Sequence, residues 1–168
     1  MTQVILVDKS DKIIGYKEKV EAHKNPVPLH RAISIVIFDK SGQKTLLTKR
    51  SFKKPTWPLF WSNTVCSHPY RNESYQKAAE RRIFEEAGFR TKLTEVFRFT
   101  YEAKYDEVWG EHENDVVFKG EYEGPVNPNP DEIADYKWVE VGKLKEDINK
   151  NPKKYTPWFK IILRKLKI

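Results

Sequence analysis

The sequence has one cysteine, one methionine and only four histidines in 168 residues. A single cysteine cannot close an internal disulfide, so packing and hydrogen bonds must hold the fold and the thiol is left for chemistry. Long apolar runs are missing too, since none approaches the ~20 residues of a membrane helix. The opening Met1-Thr2-Gln3-Val4-Ile5-Leu6-Val7-Asp8 lacks the basic segment of a secretory signal and reads as a strand. No internal repeat or low-complexity stretch appears. These absences set the expectation of a cytoplasmic, single-domain protein over 1–168 with no membrane partner.

What is present is a core and a positive balance. Hydrophobic residues make up 39% of the chain and aromatics 13%, enough to fill one domain. Lysine and arginine number 31 against 24 acidic residues, a net charge of +7. A solvated lysine-rich surface explains part of this. An anionic small molecule or a nucleic acid would be the functional explanations. No RNA- or DNA-binding motif accompanies the charge, so no nucleic-acid partner is expected. Lys160, Arg164, Lys165 and Lys167 suit the C-terminal end of a helix, where cations meet the negative end of its dipole.

The pattern along the chain predicts α+β with a mixed sheet between helices. Strands are expected at Val4 to Val7, Lys12 to Tyr16, Ala32 to Phe38, Lys44 to Lys49, Leu93 to Tyr101, Glu113 to Tyr122 and Asp135 to Val141. Asp39-Lys40-Ser41-Gly42 reads as a turn, and Pro55 and Pro58 bracket Trp57 in a loop. A helix is expected from about Glu73 to Ala87, with Asn72 or Ser74 as N-cap and Gly88 as its stop. Two more should run from about Val141 to Asn149 and Pro157 to Lys167.

Chemistry concentrates in a few runs. Thr64-Val65-Cys66-Ser67-His68-Pro69 places the only cysteine two positions from a histidine. The segment ending at Gly88 follows G-x5-E-x7-R-E-U-x-E-E-x-G-U, the Nudix box, at Glu73, Arg81, Ile83, Glu85, Glu86, Gly88 and Phe89. Residues three and four apart share a helix face, so Arg82 and Glu86 point the same way and can frame a divalent cation with its phosphates. The alternative is a solvated helix with ion pairs such as Arg81–Glu85. Ser67 replaces the first glycine and Arg82 the glutamate after Arg81. A guanidinium there would repel a metal but grip a phosphate.

Glu111 and Glu113 alternate, so on a strand both leave the same face while His112 leaves the other. With His23, His30 and His68 they would make a ligand set for zinc, manganese or iron. Lys19, Arg50 and Lys54 are cations that are surface residues unless a site gathers them. Trp57, Trp61, Tyr101 and Trp158 read first as core, although Thr156-Pro157-Trp158-Phe159 opens a helix where an indole could close a pocket.

Together these pieces resemble the type I isopentenyl-diphosphate Δ-isomerases, relatives of the Nudix hydrolases. The resemblance rests on Ala22-His23, Leu29-His30, Trp61-Ser62-Asn63-Thr64-Val65-Cys66-Ser67-His68-Pro69, Arg81 to Gly88, Trp109-Gly110-Glu111-His112-Glu113 and Thr156-Pro157-Trp158-Phe159. It spans about 19–160, with a Nudix-like core at about 28–160. It implies a Nudix fold and interconversion of isopentenyl and dimethylallyl diphosphate by a monomer. It also implies one divalent metal, Mn2+ or Zn2+, on His23, His30, His68, Glu111 and Glu113, and Mg2+ on Glu86 and the Cys66 carbonyl. Lys19, Arg50, Lys54, Ser67 and Arg82 would contact the diphosphate, and Trp158 the hydrocarbon. Cys66 and Glu113 would transfer protons, assisted by Tyr101. The competing readings are a Nudix hydrolase of a nucleoside or sugar diphosphate, a basic nucleic-acid-binding module, and a Nudix-like domain without activity.

Overall fold

The most apolar run in the sequence becomes the middle of the sheet. In the computed structural model, which describes residues 2–167, strand β3 (His30–Phe38) is buried along nearly its whole length. Its β-branched residues fit a strand covered on both faces. It runs parallel to β8 (Gly110–Glu121) in a nine-residue register from His30↔Glu113 to Phe38↔Glu121. On its other side it meets the short antiparallel β6 (Val65–Ser67), with Ser34 opposite Cys66.

The remaining strands extend this unit. β7 (Leu93–Lys104) forms the antiparallel hairpin with β8. β4 (Lys44–Arg50) pairs with β9 (Ile133–Glu140) and with the two-residue β5 (Trp61–Ser62). β1 (Gln3–Val7) pairs with β2 (Ile13–Glu18) and touches β3 at Leu6↔His30. Antiparallel hairpins around one parallel pair make the mixed sheet.

Helices cover both faces. Helix α2 (Tyr75–Ala87) lies over Ile33, Ile35, Ile37, Val116 and Phe118 through Ala78, Ala79, Ile83 and Ala87. Helices α3 (Val141–Lys150) and α4 (Pro157–Leu166) lie over Val36, Leu47 and Val117 through Leu144, Phe159 and Ile162. Odd residues of β3 face one layer and Val36 the other, as a strand period of two requires. No helix among the described residues is long and apolar enough to cross a membrane.

The helix signals resolve in favour of Ser74. Its hydroxyl accepts from the Lys77 amide, whereas Asn72 has left-handed backbone with φ 64°. Gly88 stops α2 with φ 79°, and a Cβ there would come within 2.4 Å of the Asn127 carbonyl oxygen. The hairpin strands run further than expected, to Lys104 and back to Gly110, so both expected glutamate ligands lie within β8. Three short elements carried no sequence signal: α1 (Lys19–Ala22), β5 and β6.

Candidate active site

Five side chains from four segments of the chain converge at one end of β3. His30 begins β3, Glu111 and Glu113 lie on the adjacent β8, His68 follows β6, and His23 follows α1. Their ligand-capable atoms all lie within 4.8 Å of one another, and the three imidazole rings are 4.9–5.2 Å apart. Two rings are oriented from behind. His23 Nδ1 sits 2.6 Å from the Lys19 carbonyl and His30 Nδ1 2.8 Å from the Pro28 carbonyl, which turns each Nε2 towards the carboxylates. His112 lies outside the cluster, against the Val27 carbonyl.

This set fits a divalent metal. His30 Nε2 and His68 Nδ1 are buried with no hydrogen-bond partner, and two buried carboxylates face three imidazoles. Such groups are costly to bury unless something pairs with them. Burial and the neighbouring Lys19, His23 and His30 push His68 well below its usual value, so its ring is neutral. Burial alone would raise Glu113, but His30, the Tyr101 hydroxyl and His23 together outweigh it and Glu113 is held lower. Tyr101 donates to Glu113 Oε2 at 2.6 Å, and Thr56 donates to Glu111 Oε1 at 2.7 Å.

Cys66 faces the same cleft from β6. The cleft holds about 280 Å³ and is lined by Cys66, His68, Tyr101, Glu111, Glu113 and Trp158 together with the charged Lys19, Arg50, Lys54 and Glu132. The thiol donates to Asn63 Oδ1 at 3.1 Å and accepts the Trp158 indole N–H at 2.9 Å. Asn63 is held by two bonds from its amide nitrogen, to the Ile35 and Val65 carbonyls. Thr64 likewise bridges the Ile37 amide and the Leu46 carbonyl. Polar side chains thus take over where β5 and β6 are too short to continue the ladder. Burial and then Asp115 push the Cys66 thiol up to about 12, so it carries its proton at neutral pH.

Trp158 is positioned by the start of α4. The Thr156 amide donates to the Trp61 carbonyl, its hydroxyl pairs with Ser62 at 2.9 Å, and Pro157 occupies the first helical position. The indole packs edge-on against Trp57 and lies 6.0 Å from Tyr101. The indole does line the cleft, but its N–H edge is committed to sulfur, and the Arg50 guanidinium lies 5.1 Å from the ring centre.

The box helix divides its labour. Arg81 forms two bonds with Glu73, one with Glu85 and one with the His68 carbonyl, so it ties the metal-side loop to α2. Arg82 shares Glu85 with Arg81, at 2.8 Å, and its Nη2 bonds Glu86 at 2.6 Å and Glu132 at 2.7 Å. Glu86 is buried beside a narrow recess that Cys66, Arg50, Lys54 and Glu132 also line. Ser67 is buried on β6 and is not among the residues lining either space.

A NUDIX domain model matches residues 28–159. Isopentenyl-diphosphate Delta-isomerase 1 of Aromatoleum aromaticum is 46% identical over 156 residues, covering 93% of this chain and 87% of that protein. The isopentenyl-diphosphate Delta-isomerase of Serratia proteamaculans is 39% identical, covering 97% and 90%. This chain belongs to the isopentenyl-diphosphate Delta-isomerase family. Its fold also resembles a Deinococcus radiodurans protein with a TM-score of 0.73 at 17% identity, over 89% of this chain and 90% of the other. A MutT NUDIX hydrolase from Burkholderia pseudomallei gives 0.65 at 20%, over 81% and 96%. At those identities the likeness speaks for the fold alone, and the family-level evidence favours the isomerases over the Nudix hydrolases.

Sequence reasoning missed several groups around this isomerase-family site. Thr56 and Glu132 come from loops and carried no pattern. Asn63 lay inside the quoted S-N-T run, but its contact with sulfur needs the fold. Ser34, which donates to the buried Asp115 at 2.7 Å and lies 3.7 Å from Cys66 Sγ, read only as a strand residue.

Proposed function

We propose that this protein interconverts isopentenyl diphosphate and dimethylallyl diphosphate, as its curated relatives are named for doing. The observation that carries the reading is a cleft shared by a thiol and a carboxylate. Cys66 and Glu113 both line it, and so do Lys19, Arg50 and Lys54.

Protonating an unactivated alkene needs a well-placed acid, because the product is a tertiary carbocation. In the forward direction Glu113 gives a proton to the terminal carbon, C4, and the double-bond electrons form the new C–H bond. Cys66 removes the C2 proton, and the electrons of that C–H bond form the C2=C3 bond. Tyr101 holds Glu113 Oε2 in place. Forward chemistry begins with the proton on Glu113 and a thiolate at Cys66. The reverse begins with the proton on sulfur, which is where burial keeps it, and microscopic reversibility links the two states. Trp57, Tyr101 and Trp158 keep water from the cation, which would otherwise end as an alcohol. The indole face also steadies positive charge, by roughly 0.5–2 kcal/mol.

His23, His30, His68, Glu111 and Glu113 would hold a divalent metal, Mn2+ or Zn2+, which when bound strengthens a coordinated carboxyl as an acid. Glu86 and the Cys66 carbonyl would hold Mg2+ with the diphosphate, which neutralises phosphate charge. Lys19, Arg50, Lys54 and Arg82 grip the diphosphate in this reading, and Ser67, which lines neither space, is left out of it. All these groups come from one chain, so a monomer suffices. A free thiol that must stay reduced suits the cytoplasm.

The test is incubation of pure protein with isopentenyl diphosphate and magnesium. Dimethylallyl diphosphate is the expected product. Its absence, with phosphate released from nucleoside or sugar diphosphates instead, would replace this reading by a hydrolase.

A further inference from the structure

Glu132 lies where the diphosphate is expected, and it already occupies the cations. One of its oxygens bonds Lys54 Nζ, and the other accepts from Arg82 Nη2 at 2.7 Å. The same Arg82 nitrogen lies 2.6 Å from Glu86 Oε1, and Arg82 Nη1 lies 2.8 Å from Glu85 Oε2, so three carboxylates share one guanidinium. Glu132 is not a loose surface side chain. Its carbonyl accepts from the Ser51 amide, its amide donates to Asn129, and β9 begins at the next residue. Lys54 and Arg82 hold its carboxyl down to about 2 against the effect of burial, so it is ionised at neutral pH.

We propose that Glu132 makes diphosphate binding conditional on a divalent cation. This rests on the reading of Lys54 and Arg82 as diphosphate contacts. Before a diphosphate binds, Glu132 stands in for the anion and keeps both cations aimed. A diphosphate arriving alone must take these partners from Glu132 and then sit beside two carboxylates, Glu132 and Glu86. Like charges a few ångströms apart in a partly buried site repel strongly. A magnesium ion on Glu86 offsets that repulsion, so the magnesium complex enters where the bare anion does not. The chain thereby discriminates against free phosphate, sulfate and uncomplexed diphosphates by charge as well as by shape.

Calorimetric titration with inorganic pyrophosphate, with and without magnesium, tests this on the full chain. Wild type should bind at least about tenfold more tightly with magnesium. Glu132→Gln should gain about tenfold in magnesium-free affinity and lose the same factor of magnesium dependence. Glu132→Asp, which keeps the charge, should recover much of that dependence. Equal binding by wild type with and without magnesium would overturn the proposal even if no variant folds, and so would an undiminished magnesium dependence in Glu132→Gln. Arg82→Gln separates the two claims. If it binds magnesium pyrophosphate as well as wild type does, the assignment of the diphosphate to these cations has failed. If it loses binding while Glu132→Gln behaves as wild type, only the role of Glu132 falls.

Discussion

The indole nitrogen of Trp158 donates to the sulfur of Cys66 at 2.9 Å, while that sulfur points its own proton at Asn63 Oδ1, 3.1 Å away. The thiol is thus fixed from two sides while partly buried at the cleft wall. Cys66→Ala should abolish isomerisation, and Glu113→Gln should do the same from the other reacting group. Both should retain wild-type circular dichroism, since neither change leaves a large cavity. Normal turnover in either variant removes the proton-transfer role assigned to it.

Cys66 should behave as a thiol with an unusually high pKa. Burial and the nearby Asp115 raise it to about 12, so the thiolate fraction grows about tenfold per pH unit throughout the neutral and mildly alkaline range. Iodoacetamide labelling of the metal-free, substrate-free protein should accelerate steadily with pH and show no plateau near 9. A plateau there would mean an ordinary, solvated thiol.

Metal should matter for the fold as well as for turnover. The cluster packs two buried carboxylates against three imidazoles, two of which have an unpaired buried nitrogen, a cost that a bound cation relieves. Removing divalent ions should abolish isomerisation and lower Tm, and adding Mn2+ or Zn2+ should restore both. An unchanged Tm on stripping and reloading would show that these residues do not bind metal.

Glu86→Gln should weaken magnesium-dependent binding of the diphosphate by about tenfold or more, because it removes the one buried box carboxylate that faces the recess. Unchanged affinity in titrations with magnesium would remove Glu86 from that role.

Glu132 should contribute to acid stability with a defined sign. Its folded pKa is lowered from the ordinary 4.5 to about 2 because the attraction of Lys54 and Arg82 outweighs burial. Stabilisation is then complete above pH 4.5 and is lost as pH falls towards 2. Allowing for partial exposure, wild type should exceed Glu132→Gln by about 2–3 kcal/mol at neutral pH, with the gap closing across that window. Urea melts at several pH values measure it, and a gap that does not change with pH would refute the ion-pair origin.

How far the sequence could be read depended on whether a signal was local. β3 announced itself by Ala32 to Phe38, and α2 by its cap and its glycine stop. The alternation of Glu111 and Glu113 placed them on one face without any coordinates. Resemblance supplied the five-residue metal set, because no periodicity joins His23 to Glu113. Short elements such as β6 escaped notice: three residues are too few for a pattern, and side-chain bonds from Asn63 and Thr64 define that segment. Glu132 escaped for a different reason. An acidic residue in a proline-rich loop looks solvated until the fold lays it against Lys54 and Arg82.

The two proposed reacting groups ride on strands that flank β3, Cys66 opposite Ser34 on one side and Glu113 opposite His30 on the other. Their separation is therefore a property of the hydrogen-bonded sheet and not of any loop. The sheet acts as a ruler of fixed length. A branched tail of the right size can present both of its reacting carbons at once, and one longer by a methylene must slide out of step with one of the two groups.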